Sequence, residues 1–234
     1  MKKLSISFLT LIWLSLFGFS TASAGGIGFG VTGSFYNVEA SGTETDSQDT
    51  TDSSTRTASV DNDVYIASGY LEVSADSGLA IGYEFTPGAA DVSDKVQTRT
   101  DTEDSVTDTA KETGTSREFK AQAEVENYDV VYLEVPIFRS IYARAGHASI
   151  DVNTKETASS NGGSYGNATL DGLNLGIGVK GLFDNNVRWK VAYEQTDFDT
   201  LSLTSTGNSV TSETNSITAD LDTWSARLSL GYQF

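Results

Sequence analysis

The chain has 234 residues, no cysteine and a formal net charge of −17. That acidic balance repels nucleic acid and anionic lipid headgroups and argues against either as a partner. The missing thiols exclude disulfides, thiolate metal sites and lipoprotein processing.

Lys2 and Lys3 open the chain as a positive segment, and no charge follows from Leu4 to Phe19. Leu9, Leu11, Ile12, Trp13, Leu14, Leu16 and Phe17 form a short apolar core, and Ala22-Ser23-Ala24 supplies the small-x-small cleavage pattern. The run is short for a spanning helix, which needs about 20 apolar residues. Residues 1–24 are therefore expected to be a cleaved signal peptide and 25–234 a single secreted domain. Loss of Lys2 and Lys3 takes the formal charge from −17 to −19.

From Ile27 onward the pattern is period two, the signature of strands. Eight alternating segments follow in chain order. Ile27, Phe29, Val31 and Phe35 lead the first. Tyr65 to Val73 and Leu79 to Phe85 make the second and third, Val131 to Val135 and Ile141 to Ala145 the fourth and fifth. Leu173 to Val179, Trp189 to Tyr193 and Trp224 to Phe234 complete the set. Tight connections are expected at Asp76-Ser77-Gly78, Pro136 to Ser140 and Asp184-Asn185-Asn186, where Gly and Asn tolerate positive φ. Long polar connections alternate with them, at about 41–62, 91–117, 153–167 and 202–215. Short turns at one end and long loops at the other describe an outer-membrane barrel. The expected fold is all-β: an eight-stranded antiparallel up-and-down transmembrane β-barrel with both termini on the short-turn, periplasmic side.

A soluble secreted β-sandwich would share the alternation. Three features favour the barrel. Aromatic residues gather near strand ends, at Phe35, Tyr36, Phe85, Trp189, Tyr193, Trp224, Tyr232 and Phe234, as interfacial girdles do. The other strand face carries both signs of charge: Glu72, Glu84, Glu134, Arg144, Lys180, Arg188, Lys190, Glu194 and Arg227. Inside a small barrel such charges must pair. Finally, the sequence finishes on an alternating aromatic strand at Phe234.

That strand, Leu221 to Phe234 with its Gly231-Tyr232-Gln233-Phe234 ending, resembles the terminal strand of the opacity-type, OmpA-like outer-membrane barrels. Leu175 to Lys180, Asp184 to Asn186 and Ala192 to Phe198 resemble that family's sixth and seventh strands, and Leu133-Glu134-Val135-Pro136-Ile137 the turn between its fourth and fifth. The resemblance implies a Gram-negative outer-membrane location. It also implies that Leu230, Tyr232 and Phe234 form the signal read by the barrel-assembly machinery. No peptidoglycan-binding domain follows the barrel, so that activity is not implied.

Eight strands enclose an interior just wide enough for side chains or one small ligand, whereas a diffusion pore needs roughly twice as many. The nine charged residues are thus expected to fill the lumen as paired ions, with transient opening of a narrow water path as the functional variant of that reading. Catalysis finds no support. His147 is the single His, and no G-x-S-x-G pattern or partnered nucleophile accompanies it. No cofactor and no metal are expected: Asp61-Asn62-Asp63 lacks the rest of a calcium loop. The acidic, Thr- and Ser-rich loops point to surface contact, including divalent cations bridging to lipopolysaccharide, or to a solvated repulsive coat. The leading expectation is a monomeric outer-membrane barrel, embedded in the bilayer beside lipopolysaccharide, with a structural or adhesion-type role. The alternative is a narrow channel or small-molecule transporter, which an apolar lumen or a lateral gap between strands would favour.

Overall fold

The computed structural model describes residues 25–46, 54–93, 97–103, 115–157, 163–206 and 214–234. The proposed signal peptide, residues 1–24, lies outside them. The described residues contain no helix and ten strands. These are β1 (Gly26–Asp46), β2 (Ser54–Ser74), β3 (Ala80–Asp91), β4 (Gln97–Glu103), β5 (Thr115–Phe138), β6 (Ile141–Thr157), β7 (Ala168–Leu182), β8 (Val187–Phe198), β9 (Leu201–Thr204) and β10 (Asn215–Gln233).

Eight of them close a ring in the order β1-β2-β3-β5-β6-β7-β8-β10, with β10 pairing back onto β1 from Gly28↔Gln233 to Asp46↔Asn215. β4 continues the line of β3 along β5, and β9 continues the line of β8 along β10. All neighbours are antiparallel, so the chain is an eight-stranded up-and-down barrel. Closure pairs the backbone polar groups around the wall, as strands in hydrocarbon require, except along the upper part of the β2–β3 seam.

Side-chain parity gives the wall its two faces. Odd residues of β1, β2, β3, β6, β7 and β8 point outward and even residues of β10 do the same; in β5 the odd residues point outward from Asp129 down, and above its register shift the even residues do. Phe29, Leu71, Leu133, Leu175, Val191 and Leu228 lie outward, Leu71 at 55 % exposure and Phe29 at 51 %. So large an apolar belt is untenable in water and suits lipid. Rings mark its borders. Phe35 sits 5.2 Å from Tyr65 and 5.4 Å from Trp224, which stacks on Tyr193 at 6.0 Å. At the other border Phe234 lies 5.9 Å from Phe29 and 5.0 Å from Tyr232. The spanning segments run between these two clusters. Tyr36 does not belong to the girdle: it turns inward and is buried, because its neighbour Phe35 occupies the outward position.

Turns at the lower end are short. Gly78 (φ 86°), Arg139 (φ 46°) and Asn186 (φ 62°) supply the positive φ that tight hairpins demand. The middle turn is narrower than Pro136 to Ser140. β5 runs on to Phe138, and Pro136 sits inside it at a register shift opposite Tyr142, where a missing N–H is tolerated. At the upper end the strands run on into the segments that read as loops. β1 and β2 stay paired to Asp46↔Ser54, which takes the wall well past the 9–11 or so residues a spanning strand needs. Thr-rich sequence favours this extension.

One seam is incomplete. β2 pairs with β3 only from Ser74↔Ala80 to Gly69↔Phe85. Above Phe85 the register of β3 against β5 slips between Thr86 and Ala89. Pro87 offers no N–H there and Gly88 takes φ 98°. β5 carries its own shift at the same level, between Glu126 and Asp129, with Asn127 at φ 53°. Two aligned bulges bend the wall away from β2. The seam is bridged again higher up, where Asn62 Nδ2 donates to the Asp91 carbonyl at 3.1 Å.

Candidate functional site: a two-tier lumen with a lateral window

The lumen has a charged lower tier and an apolar upper tier. All nine charged residues expected in the lumen point inward in the lower tier, and together they form two layers. In the upper layer Arg144 reaches Glu84 at 3.0 Å and Glu194 at 3.1 Å, and Arg227 contacts the same two carboxylates, closing a square. Ser68 also donates to Glu84. Below it runs a chain, Arg188–Glu72–Lys190–Glu134–Lys180, in which Lys190 meets Glu134 at 2.7 Å and Lys180 meets it at 2.8 Å. Glu134 is fully buried and Arg227 is 5 % exposed. Pairing at this depth is obligatory, because an unmatched buried ion costs several kcal/mol.

Three tyrosines cement the layers. The Arg144 guanidinium lies 3.8 Å from the Tyr132 ring centre, and Lys190 lies 5.0 Å from that of Tyr70 and 6.0 Å from that of Tyr142. Tyr132 Oη donates to Glu72 at 3.1 Å. Space for the rings comes from glycines on neighbouring strands. A Cβ on Gly82 would fall 2.3 Å from Tyr132 Cζ, which leaves no room for any larger residue. The tyrosines were not among the expected site residues, although inward tyrosines facing glycines across a strand pair were a signal in the sequence.

Paired charges do not fill the whole lumen. Above the square, Tyr36 lies 6.1 Å from Tyr128, which lies 6.1 Å from Phe198, and these rings form a shelf. Tyr128 Oη shares a hydrogen bond of 3.0 Å with Thr196. On top of the shelf Val38, Val92, Ile150, Val152, Leu170 and Leu221 make a buried apolar cluster. A cavity of about 680 Å³ opens within it. Val64, Ile66 and Ala67 from β2 and Thr86 to Asp91 from β3 line it, so its side wall is the unpaired seam. The gap is a window: Gly69↔Phe85 is its sill and the Asn62–Asp91 bond its lintel.

Outside, above the aromatic cluster, the wall carries acids: Glu39, Asp61, Asp63, Asp91, Glu124, Asp151, Asp171, Asp197, Asp220 and Asp222. Asn37 Nδ2 donates to both Asp61 (2.6 Å) and Asp63 (2.9 Å). His147 belongs to this collar, its Nε2 3.3 Å from Asp171 Oδ1 on the outward face. Asp222 is partly desolvated and faces Asp197, Asp220 and Glu39, which together hold its carboxyl above the usual range. Folding therefore favours its protonated form. The group contributes stability on acidification, which is lost as pH rises through the raised pKa. Asp222→Asn is expected to raise the melting temperature slightly at neutral pH and to flatten the gain between neutral pH and the carboxylate range. Thermal unfolding followed across that range checks this; an unchanged pH profile would show the cluster to be fully screened.

Leu230 and Tyr232 lie on the outward face of β10 at the lower border, and Phe234, the residue after the strand, is exposed beside them.

No protein-family model and no curated protein matches the chain. Solved structures do. The outer-membrane protease OmpT of Escherichia coli aligns over 92 % of this chain and 99 % of its own at 9 % identity, with a TM-score of 0.50. OprG of Pseudomonas aeruginosa covers 91 % and 98 % at 10 % identity and 0.44, and the outer-membrane protein AlkL 93 % and 95 % at 14 % identity and 0.43. The likeness is one of fold, that of Gram-negative outer-membrane barrels.

Proposed function

We propose that the chain is an outer-membrane barrel that admits small apolar molecules from outside and releases them sideways into the outer leaflet through the β2–β3 window. The carrying observation is the apolar chamber above a closed charged floor, with its unpaired wall at the upper aromatic border. A molecule entering from above meets the Tyr36–Tyr128–Phe198 shelf, not a pore. Its apolar exit lies between Ile66 and Ala89. A chamber of about 680 Å³ falls within the roughly 300–1,000 Å³ range of small-ligand pockets. The role begins with secretion by residues 1–24 and insertion directed by Leu230, Tyr232 and Phe234, the part that rests on the resemblance to the opacity-type, OmpA-like barrels. The nine lumen charges then serve as a structural plug.

The acid collar supports a second reading, a structural or adhesion-type surface role in which divalent cations link these carboxylates to lipopolysaccharide phosphates. The two readings differ in a transport measurement. Cells carrying the barrel are expected to take up labelled octane faster than cells without it. Ala90→Trp, which turns a large ring into the chamber beside the window, is expected to remove that gain while the heat-shifted gel mobility of the folded barrel is kept. Equal uptake by the parent and the variant would sink the window reading and leave the collar as the functional surface.

A further inference from the structure

The lips of the window are not neutral. Asp63 stands on β2, Asp91 on the facing end of β3 and Glu126 beside them on β5, and all three line the chamber at its mouth. No lysine, arginine or histidine is among the twenty residues that line it. Asp63 is held by the neutral amide of Asn37 and Glu126 by that of Asn153, at 2.7 Å, so neither charge is cancelled by its partner. Lys155 lies 3.6 Å from Asp91, but its ammonium also contacts Glu124. That patch therefore stays negative as a whole. The arginines below the shelf are committed: Arg144 and Arg227 each bridge Glu84 and Glu194.

Behind the lips the lining is apolar, with Val64, Ile66, Ala67, Ala89, Ala90 and Ile150. We infer that the occupant of the chamber is a small amphiphile with an apolar body and an ammonium head. The body lies on the aromatic shelf and the head between Asp63, Asp91 and Glu126. This rests on the window reading and adds the head-group chemistry to it. A carboxylate of the same shape meets three like charges at the mouth and no cation inside. An alcohol gains a hydrogen bond but no Coulombic attraction.

The test uses the full barrel in phosphatidylcholine nanodiscs, a bilayer without net charge, with alanine methyl groups labelled for NMR. Octylamine, octanol and octanoate are titrated at neutral pH, and the methyls of Ala67, Ala89 and Ala90 report occupancy of the window. Octylamine is expected to bind at least about tenfold more tightly than octanoate, with octanol between them; tenfold corresponds to about 1.4 kcal/mol. In an Asp63→Asn, Asp91→Asn, Glu126→Gln variant the preference is expected to collapse, and because the bilayer is the same, lipid partitioning cancels in that comparison. Shifts of the three methyls with octanol or octanoate bound as tightly as octylamine would overturn the head-group assignment and leave the window standing. No shift with any of the three would overturn the window reading itself.

Discussion

Arg227→Ala is expected to cost the barrel about 3–5 kcal/mol, the usual penalty for stripping one partner from a buried ion pair. The square explains why the cost is high. With Arg227 gone, Glu84 and Glu194 share Arg144 alone, and one negative charge is left uncompensated where water is scarce. Urea unfolding in phospholipid vesicles, followed by tryptophan fluorescence and gel mobility, measures it. A loss below about 0.5 kcal/mol, the level of an ordinary surface substitution, would mean that water already solvates the square. Adding Glu194→Gln removes the orphaned charge and is expected to recover part of the loss. The same variant addresses conduction. The chain Arg188–Glu72–Lys190–Glu134–Lys180 still closes the lumen below the square. Planar-bilayer recordings of Arg227→Ala are therefore expected to stay silent, and defined openings would return the lumen charges to a gating role.

The ring and its faces were legible because lipid imposes a strict rule on outward residues: Leu71, Leu133, Leu175 and Leu228 leave a period-two trace that needs no tertiary knowledge. The charges of the lumen were legible for the complementary reason, since Glu72 and Arg227 have nowhere else to go on such strands. The upper chamber was not legible. Above the girdle the polarity of the wall inverts. Within the membrane Phe35 is outside and Ser34 inside; a few residues on, Glu39 is outside and Val38 inside. The same inversion separates Leu71 and Glu72 from Asp61 and Val60 on β2, and Leu173 and Asn174 from Asp171 and Leu170 on β7. At the crossover, apolar residues fall on both faces, as in Tyr65-Ile66-Ala67, and the alternation breaks. The stretch above the crossover reads as loop because its outward residues are Ser, Thr and Asp. It is still wall, folded as a water-soluble barrel is, with its apolar side turned in.

Inversion alone would give a sealed vestibule; Pro87 and Gly88 turn it into one with a side exit. Replacing both, Pro87→Val with Gly88→Val, is expected to lower octane uptake at least about tenfold, to the background of cells without the barrel. Valine restores the missing N–H at 87 and cannot hold the φ of 98° found at 88. A β-branched pair at this level favours an extended β3 that lies along β2 above Gly69 and seals the seam. The closure is measured separately from its consequence. Val64 to Ser68 all pair with β1 and none with β3, so the alternate amides that point away from β1 are free on that side and gain protection from hydrogen exchange if β3 pairs with them. Protected amides together with lost uptake would make the seam the route. Protected amides with uptake intact would place the route elsewhere, through the charged floor or along the outer wall. Amides that stay unprotected would show that the bend is set by the bulge opposite, at Asn127 of β5, and not by the Pro-Gly pair.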